Sequence, residues 1–237
     1  MKLRILLISD THQKHHELTL PECDIILHAG DISGRGSYAA VGNFLQWFSK
    51  QKANHLVFIA GNHDIGLENP QWDMIRLLEE YPEITYLNNS GASIEGINIY
   101  GSPISPTFGR GWAFNRDRGE EIKAEWDKIP EGTDIIITHT PPYGKGDLLI
   151  PQYRRRNEDP NVGCKDLLDT IRRIKPSIHL SGHIHSGYGV IVENGITYIN
   201  AAVLNDDYMY VHQPILIEFD TDTKEVKVLN DEEKQIN

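Results

Sequence analysis

The stretch Lys2-Leu3-Arg4-Ile5-Leu6-Leu7-Ile8-Ser9-Asp10-Thr11-His12 decides how the rest of the chain is read. Its run from Leu3 to Ser9 is short, almost wholly apolar, and stops on an acid and an imidazole. A short run that is apolar on both faces reads as a strand buried on both sides, as in sheets covered above and below. Polar residues directly after such a strand sit at its carboxyl end, where α/β sheets build their sites.

The same pattern recurs four times. Asp24–Ala29 runs into Gly30-Asp31, and His55–Ala60 into Gly61-Asn62-His63-Asp64. Asp134–Thr138 ends at His139, and Ser177–Ser181 at Gly182-His183-Ile184-His185. Helical spacing appears over Tyr38–Gln51, with Ala40, Phe44, Trp47 and Phe48, and over Pro70–Tyr81, with a stripe of Trp72, Ile75 and Leu78. Gly119–Ile129 and Val162–Ile174 are two more helices; the second carries Leu167, Leu168, Ile171 and Ile174 and is followed by Pro176. Ile97–Tyr100 reads as a strand. Val190–Val192 and Ile196–Ile199 flank Glu193-Asn194-Gly195, a hairpin signal, and Ile215–Phe219 with Glu225–Leu229 make a second hairpin. The expected fold class is α/β with two mixed sheets, in one domain spanning residues 1–237. The irregular segment Pro141–Asn161 is long enough to be functional or mobile, and the polar tail from Asp231 is expected to fray.

Composition narrows the functional classes. The chain has 237 residues with 39% hydrophobic and 24% charged, an ordinary globular balance. A net charge of -11 disfavours a general coat for nucleic acid. Cys23 and Cys164, far apart, make neither a disulfide framework nor a thiolate metal site. The N-terminal apolar run is too short for a signal-peptide core, and no stretch of apolar residues is long enough to span a membrane, so a reduced, cytoplasmic protein is expected.

Side by side, the five strand ends would gather Asp10, His12, Asp31, Asn62, His139, His183 and His185 around one point. Four imidazoles, two carboxylates and an amide oxygen suit Mn, Fe, Zn, Ni or Co. They are too many for one tetrahedral ion and fit two ions sharing a carboxylate. On extended backbone, Asp10 with His12 and His183 with His185 would each point to one side. Glycines ahead of Asp31, Asn62 and His183 allow a tight turn there. His15, His16, His28, His55, His179 and His212 lack such a context and read as packed or solvated.

The ordered set Asp-x-His, Gly-Asp, Gly-Asn-His-Asp, His and Gly-His-x-His, from Asp10 to His185, resembles the calcineurin-like metallophosphoesterase superfamily. Gly101-Ser102-Pro103, Trp112-Ala113-Phe114-Asn115, Ile129–Asp134, Thr138–Pro142, Val162-Gly163-Cys164, Ser181–Gly189 and Ile199-Asn200-Ala201 are similar to its metallophosphoesterase-domain-containing branch. The resemblance implies a four-layer α-β-β-α sandwich with a dimetal site at the strand ends. By position it implies one ion on Asp10, His12, Asp31 and His185, and another on Asp31, Asn62, His139 and His183, with Asp31 bridging. Some members of the branch lose the first His of Gly-His-x-His and are weak enzymes; His183 is present here, so an active enzyme is expected.

The implied activity is hydrolysis of small phosphodiesters, cyclic nucleotides among them, by a hydroxide held between two divalent ions, Mn2+ first. The resemblance makes His63 the general acid; a histidine held by a carboxylate suits that role, and the neighbouring Asp64 is expected to orient it. Arg154, Arg155 and Arg156 are candidate substrate contacts, with a solvated charge run or a subunit contact as the competing reading. Phe108, Trp112 and Phe114 read as core packing, with base stacking as the alternative. The alternative functions are a phosphomonoesterase or protein phosphatase, a nuclease, and a metal-bearing interaction module without catalysis. The expected partner is a small phosphoester, with neither a nucleic-acid polymer nor a membrane; a homodimer is left open.

Overall fold

A computed structural model describes residues 1–153 and 159–229. Strand β1 (Lys2–Ile8) shows why the sheets lie where they do. Leu3, Ile5 and Leu7 point into the apolar layer between two sheets, while Leu6 and Ile8 point to the helices outside. A strand alternates its side chains with period two, so an apolar residue at every position requires cover on both faces.

Sheet one adds β2 (Cys23–His28), β3 (Ala53–Ile59) and β4 (Ile84–Leu87), all parallel to β1 in that order. Sheet two has β5 (Ser90–Ile94), β6 (Ile97–Ser102), β9 (Ile135–Thr138), β10 (Ile178–Ser181), β11 (Gly189–Glu193) and β12 (Ile196–Asn200), in the order β11-β12-β10-β9-β6-β5. Its four central strands are parallel, and both edges are antiparallel. Strands β13 (Ile215–Asp220) and β14 (Val226–Val228) extend sheet one antiparallel beside β1. The short pair β7 (Ser105–Pro106) and β8 (Asn115–Arg116) stands apart. Helices α1 (Tyr38–Phe48) and α2 (Trp72–Glu79) contact each other, as do α3 (Glu120–Trp126) and α4 (Lys165–Ile174). The two-sheet α/β class expected above holds.

Local chemistry accounts for the helix ends. Ser37 accepts a hydrogen bond from the Ala40 amide and caps α1. Helix α4 buries Leu167, Leu168, Ile171 and Ile174 as expected. Helix α2 does not bury the expected stripe. Its buried residues are Met74 and Leu77, while Trp72 is 71% and Ile75 43% exposed. Leu77 lies over Gly42 of α1, and that contact sets which face turns inward. Trp72 takes the Arg76 guanidinium on its ring instead of core contacts.

Strands β4 and β5 carry no strong signal in the sequence. Residues of β5, Ser90-Gly-Ala-Ser-Ile94, are small and polar, and it forms an edge. The Asn194-Gly195 hairpin appears as expected, both residues having positive φ, which a type I′ turn requires.

The segment 141–161 is more ordered at its base than expected. Asp147 is buried and accepts hydrogen bonds from the Gly144 and Gly163 amides, and Pro142 and Leu148 pair with Cys164 and Asn161. The Arg154–Arg156 run lies outside the described residues. No helix among the described residues is long and apolar enough to cross a membrane.

Candidate metal centre

The two sheets meet at the carboxyl ends of their strands. Ser9 bridges to Ala202, and two glycines let the loops close. A Cβ on Gly61 would stand 2.2 Å from Asp31 Oδ1, and one on Gly182 would stand 2.0 Å from Asp10 Oδ2. Both positions exclude a side chain because the carboxylates occupy that space.

All seven predicted ligands come together. Asp10, His12 and His185 form one cluster, and Asp31, His139 and His183 another, with ligand atoms in each within 4.8 Å of one another. Asn62 Oδ1 lies 3.0 Å from His139 Nε2. Asp31 Oδ2 lies 3.3 Å from His139 Nε2 and 3.6 Å from His12 Nε2, so one oxygen faces both groups.

The convergence does not arise from extended backbone, contrary to the expectation from the i, i+2 spacing. Asp10, His12, Asp31 and His183 all have positive φ, between 41° and 66°. Non-glycine residues held there carry strain that is typical of functional sites. The turn at His183 also separates it from His185, so these two residues serve different clusters.

The protonation pattern fits a site built for cations. Burial opposes ionisation of Asp10, yet its hydrogen bond and charge contact with His185 hold its carboxyl far below the usual range. Asp31 is held down likewise by His139, against burial. Burial also opposes protonation of His139 and His185, but Asp31 and Asp10 respectively raise them to about 9. Burial depresses His12 to about 4 and His183 to about 3.

His139 Nδ1 donates to the Ala29 carbonyl and His185 Nδ1 to the Asn205 carbonyl, at 2.9 Å and 2.8 Å. Each ring thereby turns Nε2 toward carboxylate oxygen, the arrangement of a histidine oriented for a metal. Both nitrogens of His12 are buried without a hydrogen-bond partner, which ordinary packing does not leave in place. Ring nitrogens and carboxylate oxygens thus face one another across both clusters, and once His139 and His185 give up their Nε2 protons the residues fit two cations.

His63 lies beside the shared carboxylate. Its amide donates to Asp31 Oδ1 at 2.8 Å, and its Nε2 lies 4.0 Å from Asp31 Oδ2. Its Nδ1 donates to the Gly34 carbonyl at 3.0 Å, so Asp64 is not the group that holds this ring. Asp64 is fully buried and accepts from the Ile32, Ser33 and Gly61 amides and the Ser33 hydroxyl. Its carboxylate ties the loop after β2 to the loop after β3, and it orients His63 only through that loop. Burial and the charge of Asp31 push Asp64 up to about 7, while every polar neighbour is a donor that favours the ionised form.

Two features escape a reading of the sequence. Phe108 and Trp112 are not core residues; with Tyr153 and Tyr208 they rim a cavity of about 310 Å3 over Asp31, Asn62, His63, His183 and His185. Phe114 alone of the three aromatics is buried. Asn200 Nδ2 lies within 3.2 Å of the Gly182, Ile184 and Gly146 carbonyls and braces the His183 turn. Its place in Ile199-Asn200-Ala201, directly after a strand, is the available signal. A larger groove of about 600 Å3 at the opposite ends of β1–β3, against Arg4, Asp24 and Lys52, gathers no metal-ligand cluster among the described residues.

The chain is similar to known proteins in sequence and in fold. Metallophosphoesterase domain-containing protein 1 of Homo sapiens is 36% identical over 241 residues, covering 92% of this chain and 71% of that protein. A UPF0046 protein of Caenorhabditis elegans is 32% identical over 90% of this chain and 74% of its own. In fold, TT1561 of Thermus thermophilus matches at a TM-score of 0.60 and 13% identity, over 97% of this chain and 99% of that one. A purple acid phosphatase of yellow lupin matches at 0.51 and 11%, over 96% of this chain and 53% of that one. The model of the calcineurin-like phosphoesterase family matches residues 3–187. Every strand end that builds the site lies inside that span, and the chain belongs to the calcineurin-like phosphoesterase family.

Proposed function

We propose that this phosphoesterase is a phosphodiesterase for small substrates, cyclic nucleotides among them. The observation that carries the reading is the single Asp31 oxygen facing imidazoles of both clusters, which suits a carboxylate shared by two ions. Asp10, His12, Asp31 and His185 would hold one ion; Asp31, Asn62, His139 and His183 would hold the other. Two divalent ions, Mn2+ the first candidate for this oxygen and nitrogen set, supply activation of water at neutral pH and neutralisation of phosphoryl charge.

The chain's own groups do the rest. His63 Nε2 gives its proton to the departing ester oxygen as the phosphorus–oxygen bond breaks and water oxygen joins phosphorus. The Gly34 carbonyl accepts from Nδ1–H, so Nε2 donates from the doubly protonated ring, which is left neutral with its remaining proton on Nδ1. Phe108, Trp112 and Tyr208 offer an apolar wall to the ester group.

A diester suits the cavity better than a monoester. None of the described residues lining it is Lys or Arg, and Asp206 adds an acid at the rim. A diester carries one negative charge where a monoester carries close to two at neutral pH. The volume of about 310 Å3 fits a small molecule. Cys23 and Cys164 are both buried free thiols, which supports placing the protein in the cytoplasm.

The test is turnover by the Mn2+-loaded protein of matched p-nitrophenyl mono- and diesters and of 2′,3′- and 3′,5′-cyclic nucleotides. Preference for diesters and hydrolysis of a cyclic nucleotide are expected. Turnover of monoesters alone would replace this reading with a phosphomonoesterase.

A further inference from the structure

Trp112 belongs to a segment that the chemistry above uses only as a wall, yet its contacts are aimed at His63. The indole and imidazole centroids are 4.4 Å apart, with planes 38° apart. The segment is tied to the turn that carries His63: the Ala113 amide donates to the Asn62 carbonyl at 3.1 Å, and the Phe114 amide to Glu68 Oε1 at 2.9 Å. Its base is closed by the Ser105 amide on the Phe114 carbonyl and the Thr107 amide on the Arg116 carbonyl. Trp112 is therefore a fixed surface against which the imidazole rests.

The loop after β2 grips both rings. The Gly34 carbonyl accepts from His63 Nδ1, and the guanidinium of the next residue, Arg35, lies 5.4 Å from the Trp112 ring centroid. That loop is anchored through Ser33, whose hydroxyl donates to Asp64 and accepts from the Gly36 amide. The carbonyl fixes one atom of the imidazole and leaves rotation about that hydrogen bond; the indole removes it. An aromatic contact of this kind adds directional preference to plain burial.

We propose that Trp112 is the positioning residue for His63, holding the imidazole with Nε2 toward Asp31 while the Gly34 carbonyl holds Nδ1. The inference rests on the phosphodiesterase reading for its kinetic consequence and on the packing alone for its structural one. Correct placement of the acid matters most when the departing oxygen is basic.

The experiment compares Trp112→Leu, Trp112→Phe and Arg35→Ala on an alkyl diester and on bis(p-nitrophenyl) phosphate, with metal content measured for each. For Trp112→Leu, kcat on the alkyl diester should fall by about tenfold, part of the roughly 10²–10⁴-fold that a positioned acid supplies. Its kcat on the activated ester should fall less, because that departing group needs little proton transfer, and KM should rise alike on both esters because the indole also walls the cavity. Trp112→Phe should restore most of the loss, and Arg35→Ala should show a smaller loss in the same direction. In metal-free protein, the His63 ring-proton NMR signals, assigned with His63→Ala, should shift in Trp112→Leu when the indole ring current is removed. Equal loss on both esters, a change in KM alone, or unmoved His63 signals would each overturn the proposal. Should the wild type turn over neither diester, the phosphodiesterase reading fails, and the NMR signals alone decide the positioning role.

Discussion

Asp31 Oδ2 stands 3.3 Å from His139 Nε2, across the seam where the loop after β2 of one sheet meets the loop after β9 of the other. No single sheet contains the site. Asp31 is buried with one oxygen held by the His63 amide, which leaves the other to face His139 and His12. The charge on that second oxygen is what makes the cavity attractive to cations although the imidazoles around it are neutral or positive.

Removing that charge should empty the site. In Asp31→Asn, elemental analysis should find fewer than two divalent ions per chain, and phosphoester turnover should fall to near background. A variant with full activity and one ion per chain would sink the shared-carboxylate arrangement. The fold should survive, because the amide can still accept from the His63 N–H.

Metal affinity should rise with pH. His139 and His185 stand at about 9, so the metal-free folded protein carries protons on both at pH 7. A cation must displace them, with release of about two protons and a gain in affinity of up to about tenfold per proton for each pH unit up to about 9. Calorimetry of Mn2+ binding in buffers of different ionisation enthalpy counts those protons. A pH-independent affinity between 7 and 9 would contradict the protonation pattern.

Asp64→Asn should destabilise the protein more than its conservative size suggests. Each carboxylate oxygen accepts two hydrogen bonds, so either orientation of the amide turns an NH2 toward two buried donors. Leaving buried donors unpaired costs about 1–3 kcal/mol. Urea unfolding should register that loss, and turnover should fall with it because the Gly34 carbonyl rides on the same loop. A variant as stable as wild type would mean that the loop is held elsewhere.

Acid should weaken the fold through His179. Its Nε2 donates to Thr138 Oγ1, whose own hydroxyl donates to the Thr140 carbonyl, so the ring is neutral with a bare, buried Nδ1. Burial pushes it down from 6.5 to about 3. Above pH 6.5 both folded and unfolded chains are neutral at this position, and it contributes no pH dependence. Below 6.5 the unfolded chain takes a proton that the folded chain refuses, so stability falls as pH falls toward 3, by up to about 1.4 kcal/mol per pH unit. His179→Gln, which cannot charge, should flatten this limb in denaturant titrations at pH 7, 6 and 5. An unchanged slope would assign the acid sensitivity to other groups.

Five short apolar runs, each ending in Asp, Asn or His, determined that strand ends would meet and which side chains would meet there. That much follows from local rules: a short run apolar on both faces with polar residues directly after it, and glycine where the chain turns back. The helix pattern around Leu167 and Ile171 and the turn at Asn194-Gly195 are local in the same sense. What the tertiary structure decided is everything that depends on which neighbour arrives. Asp64 follows His63 in sequence but turns away from it, because four donors from two loops surround its carboxylate. Trp112 reads like core and is a wall of the cavity, because its segment bonds to the Asn62 turn. Trp72 reads like the buried face of α2 and is exposed, because Leu77 occupies the space over Gly42. Periodicity and residue type are properties of a few neighbouring positions; direction and pairing belong to contacts between residues far apart in the chain, and only folding brings those into being.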